Sequence, residues 1–324
     1  MKKILSIIPL NIAGTIIVRG FNSGFKSNGC YIMEKDVREL TPQIIARFKP
    51  DVIFGYDYSY LQSTFLTDYI LENKDKFKLV HYFGDEPEST YAYGDYPDLY
   101  KKFRNIDAYS FVWDKDFVSQ LPNAQYLPLG ANYKVYKVED FGDFRYDISF
   151  VGRPLTDKRQ EILCRLIKVF GNRLSIFSYE NYFLRSLNEI TEKGLLNDEE
   201  LEIYKNSYKG YLKTEQDLAD VYSRSKINVN ITLQGKTSLN YRVFEVPASR
   251  GFLLTDDVAD LHENFEIGRE VESYKNIDDL IDKIKFYLDN PNIAEKIVYN
   301  GFAAVYKRHS YTARARSILQ SIKN

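Results

Sequence analysis

The run YDISFVGRPLTDKRQEILCRLIKVFGNRLSIFSY, residues 146–179, decides the fold. Its opening residues form an apolar, β-prone segment that stops at Gly152, and a helical stretch follows from about 156 to 170. RLSIFSY then supplies a second apolar strand. Two near-continuous apolar strands joined by a helix read as a βαβ unit, parallel and covered on both faces. Toward the C-terminus the rhythm continues through a less regular helical region to about 206, a helix near 215–224 and the strand KINVNIT. A helix near 238–249, the strand GFLLT and helices from about 277 onward, near 292–308 and 310–322, complete it. Toward the N-terminus the same alternation runs through KILSII, a helix signalled by Thr41-Pro42, DVIFGY, a segment near 60–72 and FKLVHYF. It ends with a helical stretch near 97–104, AYSFVW and AQYLPLGAN. Residues 133–145 lack apolar periodicity and read as a connection.

The expected architecture is therefore α/β, with two Rossmann-like doubly wound domains and a cleft between them as the natural ligand site. The boundaries fall at 1–135 and 136–324, with the last helix able to cross back onto the first domain. A length of 324 residues suits two domains that each bury a core.

With 44 Lys and Arg against 45 Asp and Glu, the formal charge is −1. No net field recruits nucleic acid or an anionic membrane. Met1-Lys2-Lys3 before ILSIIPL imitates a signal peptide, but Pro9, Asn11 and Arg19 interrupt it, so it reads as a buried first strand. No stretch approaches 18 uninterrupted apolar residues, and no transmembrane segment is expected. Cys30 and Cys164 match no metal or redox spacing and read as reduced thiols in a cytoplasmic protein. The aromatic excess, 27 Tyr and 21 Phe against 1 Trp, offers surfaces with apolar bodies and polar tips.

In open α/β sheets ligands bind beyond the carboxyl ends of strands, so the turns after the expected strands are the places to look. Gly152-Arg153-Pro154 precedes a helix start near Thr156, with Lys158 and Arg159 nearby, which outlines an anion pocket. Ser238, Arg242, Glu245 and Ser249 fall within a stripe of roughly 60° on one helix. Leu239, Val243 and Val246 lie on another face. His81-Tyr82-Phe83-Gly84-Asp85-Glu86-Pro87 is a strand ending in an acidic turn, where a carboxylate can act as a base or bind a sugar. Asp114-Lys115-Asp116 permits a divalent ion but reads more simply as the N-cap of a following helix. With only His81, His262 and His309, a histidine metal site is not expected, and the common phosphate-loop, hydrolase and dinucleotide motifs are missing.

At Arg242-Val-Phe-Glu245-Val-Pro-Ala248-Ser-Arg-Gly251-Phe-Leu-Leu-Thr255 the chain resembles the glycosyltransferases related to the spore-maturation protein CgeB, within the GT-B superfamily. Further pieces agree in order: Ser149-Phe-Val-Gly152, Tyr208-Lys-Gly210-Tyr211, Ile227-Asn228-Val-Asn230, Tyr274, and Gly301 followed by His309-Ser-Tyr311-Thr-Ala-Arg314. Leu127-Pro-Leu-Gly130-Ala131-Asn132 looks like the segment leading into the hinge of such enzymes, and Asp85 with Pro87 like an acidic-Pro turn. The resemblance covers roughly 145–320.

It implies a metal-independent glycosyltransferase with no cofactor beyond a nucleotide-sugar donor, most commonly of the UDP type, held by the C-terminal domain. Gly152, Arg153, Lys236, Arg242 and Glu245 would hold that donor. Glu245 would accept hydrogen bonds from the ribose hydroxyls. Arg242, Lys236 and Arg153, with helix N-terminal N–H groups, would neutralise the departing diphosphate. A glycan, protein or small-molecule acceptor would sit on the N-terminal domain, with Asp85 and then Glu86 as candidate bases and Tyr56, Tyr58, Tyr91 and Tyr93 as an aromatic acceptor side. Many retaining GT-B enzymes carry a Glu eight residues before the ribose-binding one, and Thr237 stands there, so the stereochemical outcome stays open. The alternatives are a nucleotide-sugar-binding module without turnover and a metal-dependent transferase using Asp114 and Asp116.

Overall fold

The computed structural model describes residues 1–10, 12–58, 63–88, 101, 104, 106–136, 142–232 and 239–323. The chain divides into two compact units, residues 1–132 with 308–324, and residues 133–307. Among the described residues each unit holds a six-stranded sheet whose paired strands all run parallel.

In the first unit the strands are β1 (Lys3–Ile8), β2 (Tyr31–Asp36), β3 (Val52–Tyr56), β4 (Lys78–Phe83), β5 (Tyr109–Val112) and β6 (Gln125–Tyr126), ordered β2-β1-β3-β4-β5-β6. Burial explains which were legible. All five residues of β3 and five of six in β4 are buried, so they read as apolar runs. β2 lies at the sheet edge with no buried residue, so YIMEKD carries no such signal. Helix Pro42–Phe48 starts as its sequence directs, with the Thr41 hydroxyl accepting from Ile44 N and Pro42 in the first turn.

The helix Ile12–Ser27 packs against the helix Tyr311–Ser321 through a groove that glycine opens. A Cβ on Gly24 would lie 2.2 Å from the Tyr311 carbonyl oxygen, and one on Gly20 would lie 2.3 Å from the Tyr311 ring. The Tyr311 ring meets Phe21 edge-on at 4.9 Å, and Asn28 donates to the Thr312 carbonyl at 2.9 Å. Buried Arg314 donates to the Leu129 carbonyl and Ser321 to the Gln125 side chain at 3.1 Å, so this last helix is fastened at both ends.

In the second unit the strands are β7 (Tyr146–Val151), β8 (Leu174–Phe177), β9 (Tyr208–Gly210), β10 (Ser225–Asn230), β11 (Leu253–Asp256) and β12 (Glu272–Tyr274), ordered β12-β11-β10-β7-β8-β9. The order reverses between β7 and β10, the place where an open α/β sheet parts its connections and leaves a crevice. The helix Asp157–Phe170 follows β7, capped by the Thr156 hydroxyl on Arg159 N. Its apolar face, with Ile162, Leu163, Leu166 and Ile167, joins Ile148, Phe150, Ile176 and Val229 in the core. Among the described residues no helix is long and apolar enough to cross a membrane.

Candidate functional site

The reversal point between β7 and β10 is built by buried polar residues that each find a partner. Ser149 on β7 donates to Asn228 on β10 at 2.8 Å, and Asn228 donates to the Tyr222 carbonyl at 2.9 Å. Asn230 donates to Thr255 at 2.9 Å and exchanges hydrogen bonds with Asn240, whose side-chain oxygen accepts from Arg242 N at 3.2 Å. That chain of amides sets where the helix Arg242–Ala248 begins. The turn after β7 is tied to the end of β10 by Arg159, which donates to the carbonyls of Arg153 and Ile231, each at 2.7 Å.

Gly152 has φ +154, a conformation that side chains other than glycine rarely adopt, and the Arg242 guanidinium occupies the room it leaves. Arg242 Nη2 lies 3.2 Å from where a Cβ on Gly152 would be. Arg242 Nε is buried with no hydrogen-bond partner among the described residues. Arg153, Lys158 and Arg159 surround the same turn, and Asp256 pairs with Lys158 at 3.3 Å. Burial first, then the neighbouring Arg242, pulls the Arg159 guanidinium down to about 9, although Asp256 opposes this. Positive charge gathered at such cost in a crevice is an arrangement for an anion.

Three residues beyond Arg242, Glu245 lies on the same helix face and is 8% exposed. Its Oε1 accepts from the Tyr136 hydroxyl at 2.6 Å. The Tyr222 hydroxyl also bonds to this carboxylate and to Arg242. Burial pushes the Glu245 carboxyl up, opposed by Tyr136, Arg242 and Tyr222. Ser249 is fully buried and donates to the Glu245 carbonyl at 2.8 Å. The polar stripe is thus an interior one, and the helix is shorter than its periodicity suggests. Ser238, Thr237 and Lys236 lie outside the described residues.

In the first unit, Asp85 is exposed on the turn after β4, and partial desolvation there raises its carboxyl. The Glu86 carboxylate accepts from Gln120 at 2.9 Å. Tyr56 and Tyr58 correct the expectation of an aromatic acceptor surface: they are 3% and 1% exposed. The Tyr56 hydroxyl sits against Gly84, where a Cβ would lie 1.9 Å away, and Tyr58 donates to the Pro87 carbonyl at 2.8 Å. Both therefore hold the acidic turn from inside. Tyr91 and Tyr93, with Tyr60 and Tyr96, lie outside the described residues. Asp114 caps the short helix Lys115–Gln120, accepting from Asp116 N at 2.9 Å, which gives the D-x-D spacing a local purpose.

Residues 159–320, half of the chain, match the family described as glycosyl transferase-like. The chain belongs to that family. No match was found among curated proteins. Among solved structures, this glycosyl transferase-like chain is similar over 100% of both lengths to Anabaena HepE in complex with UDP-glucose, at 10% identity and TM-score 0.68. A glycosyltransferase from Rickettsia africae ESF-5 is 13% identical, with 99% of this chain and 98% of that one covered and TM-score 0.64. Sucrose-phosphate synthase from Thermosynechococcus elongatus is 12% identical over 100% and 98%, with TM-score 0.65. At these identities the shared property is the fold, two α/β units of GT-B architecture.

Tyr136 and Tyr222 escaped the sequence reading. Tyr136 falls in the stretch read as a connection, and Tyr222 shares the apolar face of its helix with Ala219 and Val221, so neither hydroxyl announces itself.

Proposed function

We propose that this chain is a nucleotide-sugar-dependent glycosyltransferase of the CgeB-like kind, with a UDP-type donor held by its second unit and a hydroxyl acceptor by its first. The carrying observation is the Arg242 guanidinium laid against Gly152 at the reversal point, with the Glu245 carboxylate one turn further on. A diphosphate fits the first feature and a ribose diol the second. UDP-glucose bound to HepE, a protein of the same fold, supports the choice of donor.

In the proposed reaction the bond between the sugar's anomeric carbon and the diphosphate oxygen breaks, and a bond to the acceptor oxygen forms. The electron pair leaves with the diphosphate, whose new charge meets Arg242, Arg153 and Lys158. Guanidinium and ammonium groups supply that stabilisation, so the reaction runs without a metal ion. The acceptor's proton passes to Asp85, an exposed carboxyl on the turn after β4 that partial desolvation raises.

Calorimetric titration with UDP, followed by turnover assays on a panel of UDP-sugars with and without chelator, tests this reading. Arg242→Ala is expected to lower turnover on the order of a hundredfold. Asp85→Asn is expected to lose turnover while binding UDP unchanged. UDP binding without hydrolysis or transfer of any nucleotide sugar would instead indicate a binding module, and a wild-type protein that ignores UDP would sink the reading.

A further inference from the structure

The Glu245 carboxylate is met by two tyrosine hydroxyls from distant parts of the second unit. Tyr136 stands near its start and donates to Oε1 at 2.6 Å, and Tyr222 ends the helix Glu215–Ser223. An ionised carboxylate accepts at about four positions, so two tyrosine protons leave room for two more. That is the demand of a vicinal ribose diol.

We propose that Tyr136 is a positioning residue for donor binding: its hydroxyl fixes the orientation in which the Glu245 carboxylate meets the ribose hydroxyls. This rests on the reading of Glu245 as the ribose acceptor. Packing alone does not call for the hydroxyl, because phenylalanine fills nearly the same volume at this 2% exposed position. Arg242, one helical turn away, and Tyr222 are the other groups facing the carboxylate, and Glu215 acts on Tyr136. Burial raises the Glu245 carboxyl, and Tyr136 is the largest influence lowering it. Removing that hydroxyl lets Glu245 take up a proton at higher pH, and a protonated carboxyl offers the diol fewer acceptor positions.

The test is UDP affinity of the full chain from pH 4.5 to 8, for wild type, Tyr136→Phe, Glu245→Gln and the double variant, with the melting temperature of each as a folding control. Tyr136→Phe is expected to weaken UDP binding about tenfold, the loss of one charge-assisted hydrogen bond, and to move the acid limb of the affinity profile to higher pH. Glu245→Gln should bind weakly and keep only the acid limb of UDP's own terminal phosphate, and adding Tyr136→Phe to it should change nothing further. If Glu245→Gln weakens binding while Tyr136→Phe keeps wild-type affinity and acid limb, the proposal is overturned and the ribose reading stands. Additive losses in the double variant would also overturn it, because Tyr136 would then act independently of Glu245. Wild-type UDP affinity in Glu245→Gln overturns the ribose reading itself, and the proposal with it. Should Tyr136→Phe fail to fold, 3-fluorotyrosine at 136 donates more strongly and is expected to move the acid limb down; an unmoved limb would count against the proposal.

Discussion

At the carboxyl ends of their strands the two units use the same kind of turn for different ends. The second unit gathers Arg153, Lys158, Arg159 and Arg242 around a glycine and leaves a guanidinium nitrogen without a protein partner among the described residues. The first gathers Tyr56, Asp57, Tyr58 and Gly84 and ties them inward. Asp57 has φ +46 and accepts from Gly84 N at 2.9 Å, while its own N–H donates to the Tyr82 carbonyl. Left-handed backbone at a strand end is thus no sign of a ligand by itself. What distinguishes the units is whether charge is answered from within the protein.

On that distinction, variants of the second turn cost affinity and variants of the first unit cost stability. Gly24→Val places side-chain atoms on the Tyr311 carbonyl, and chemical denaturation should show a loss of about 3 kcal/mol, the upper end for overpacking, with UDP affinity retained. Arg242→Met leaves the glycine turn intact and removes the guanidinium laid against it, and UDP affinity should fall on the order of a hundredfold with little change in melting. Asp57→Ala loses the acceptor for Gly84 N and strains a left-handed residue, an expected cost of about 2 kcal/mol.

An effect that appears only on acidification comes from His81, fully buried in β4 with its imidazole held down to about 3 by burial. A depressed histidine binds protons more readily when unfolded. Its contribution is therefore intact above about pH 6.5 and falls away toward pH 3, by at most about 1.4 kcal/mol per pH unit. Denaturation at pH 7 and pH 5 should show that slope, reduced in His81→Phe. A stability loss in Arg242→Met equal to that of Gly24→Val would erase the distinction between the units.

Strands buried on both faces were legible because they are written as apolar runs: Val52–Tyr56, Lys78–Phe83 and Tyr146–Val151 all read so. The edge strand Tyr31–Asp36 was not, since exposure relaxes its composition. The helix Ile12–Ser27 was hidden for another reason, because two glycines needed for close packing dilute its helical pattern. At the site, Gly152, Arg242 and Glu245 stood out by position after strands and by spacing on a helix. Tyr56 and Tyr58 misled, because alternating tyrosines look like a surface whether their hydroxyls point to solvent or, as here, to Gly84 and the Pro87 carbonyl. Tyr136 is far from Glu245 in sequence, and no local pattern encodes that encounter.

Because residues 133–307 are inserted between two parts of the first unit, the order of synthesis matters. On the ribosome, the glycine groove of the helix Ile12–Ser27 emerges on the order of tens of seconds before Tyr311 is made to fill it. During that interval Phe21, whose ring ends up against Tyr311, lacks its covering partner, and the whole of the second unit is made in the meantime, its last residue only shortly before Tyr311. The first unit of the nascent chain is thereby expected to depend on chaperone shielding until its last helix is made.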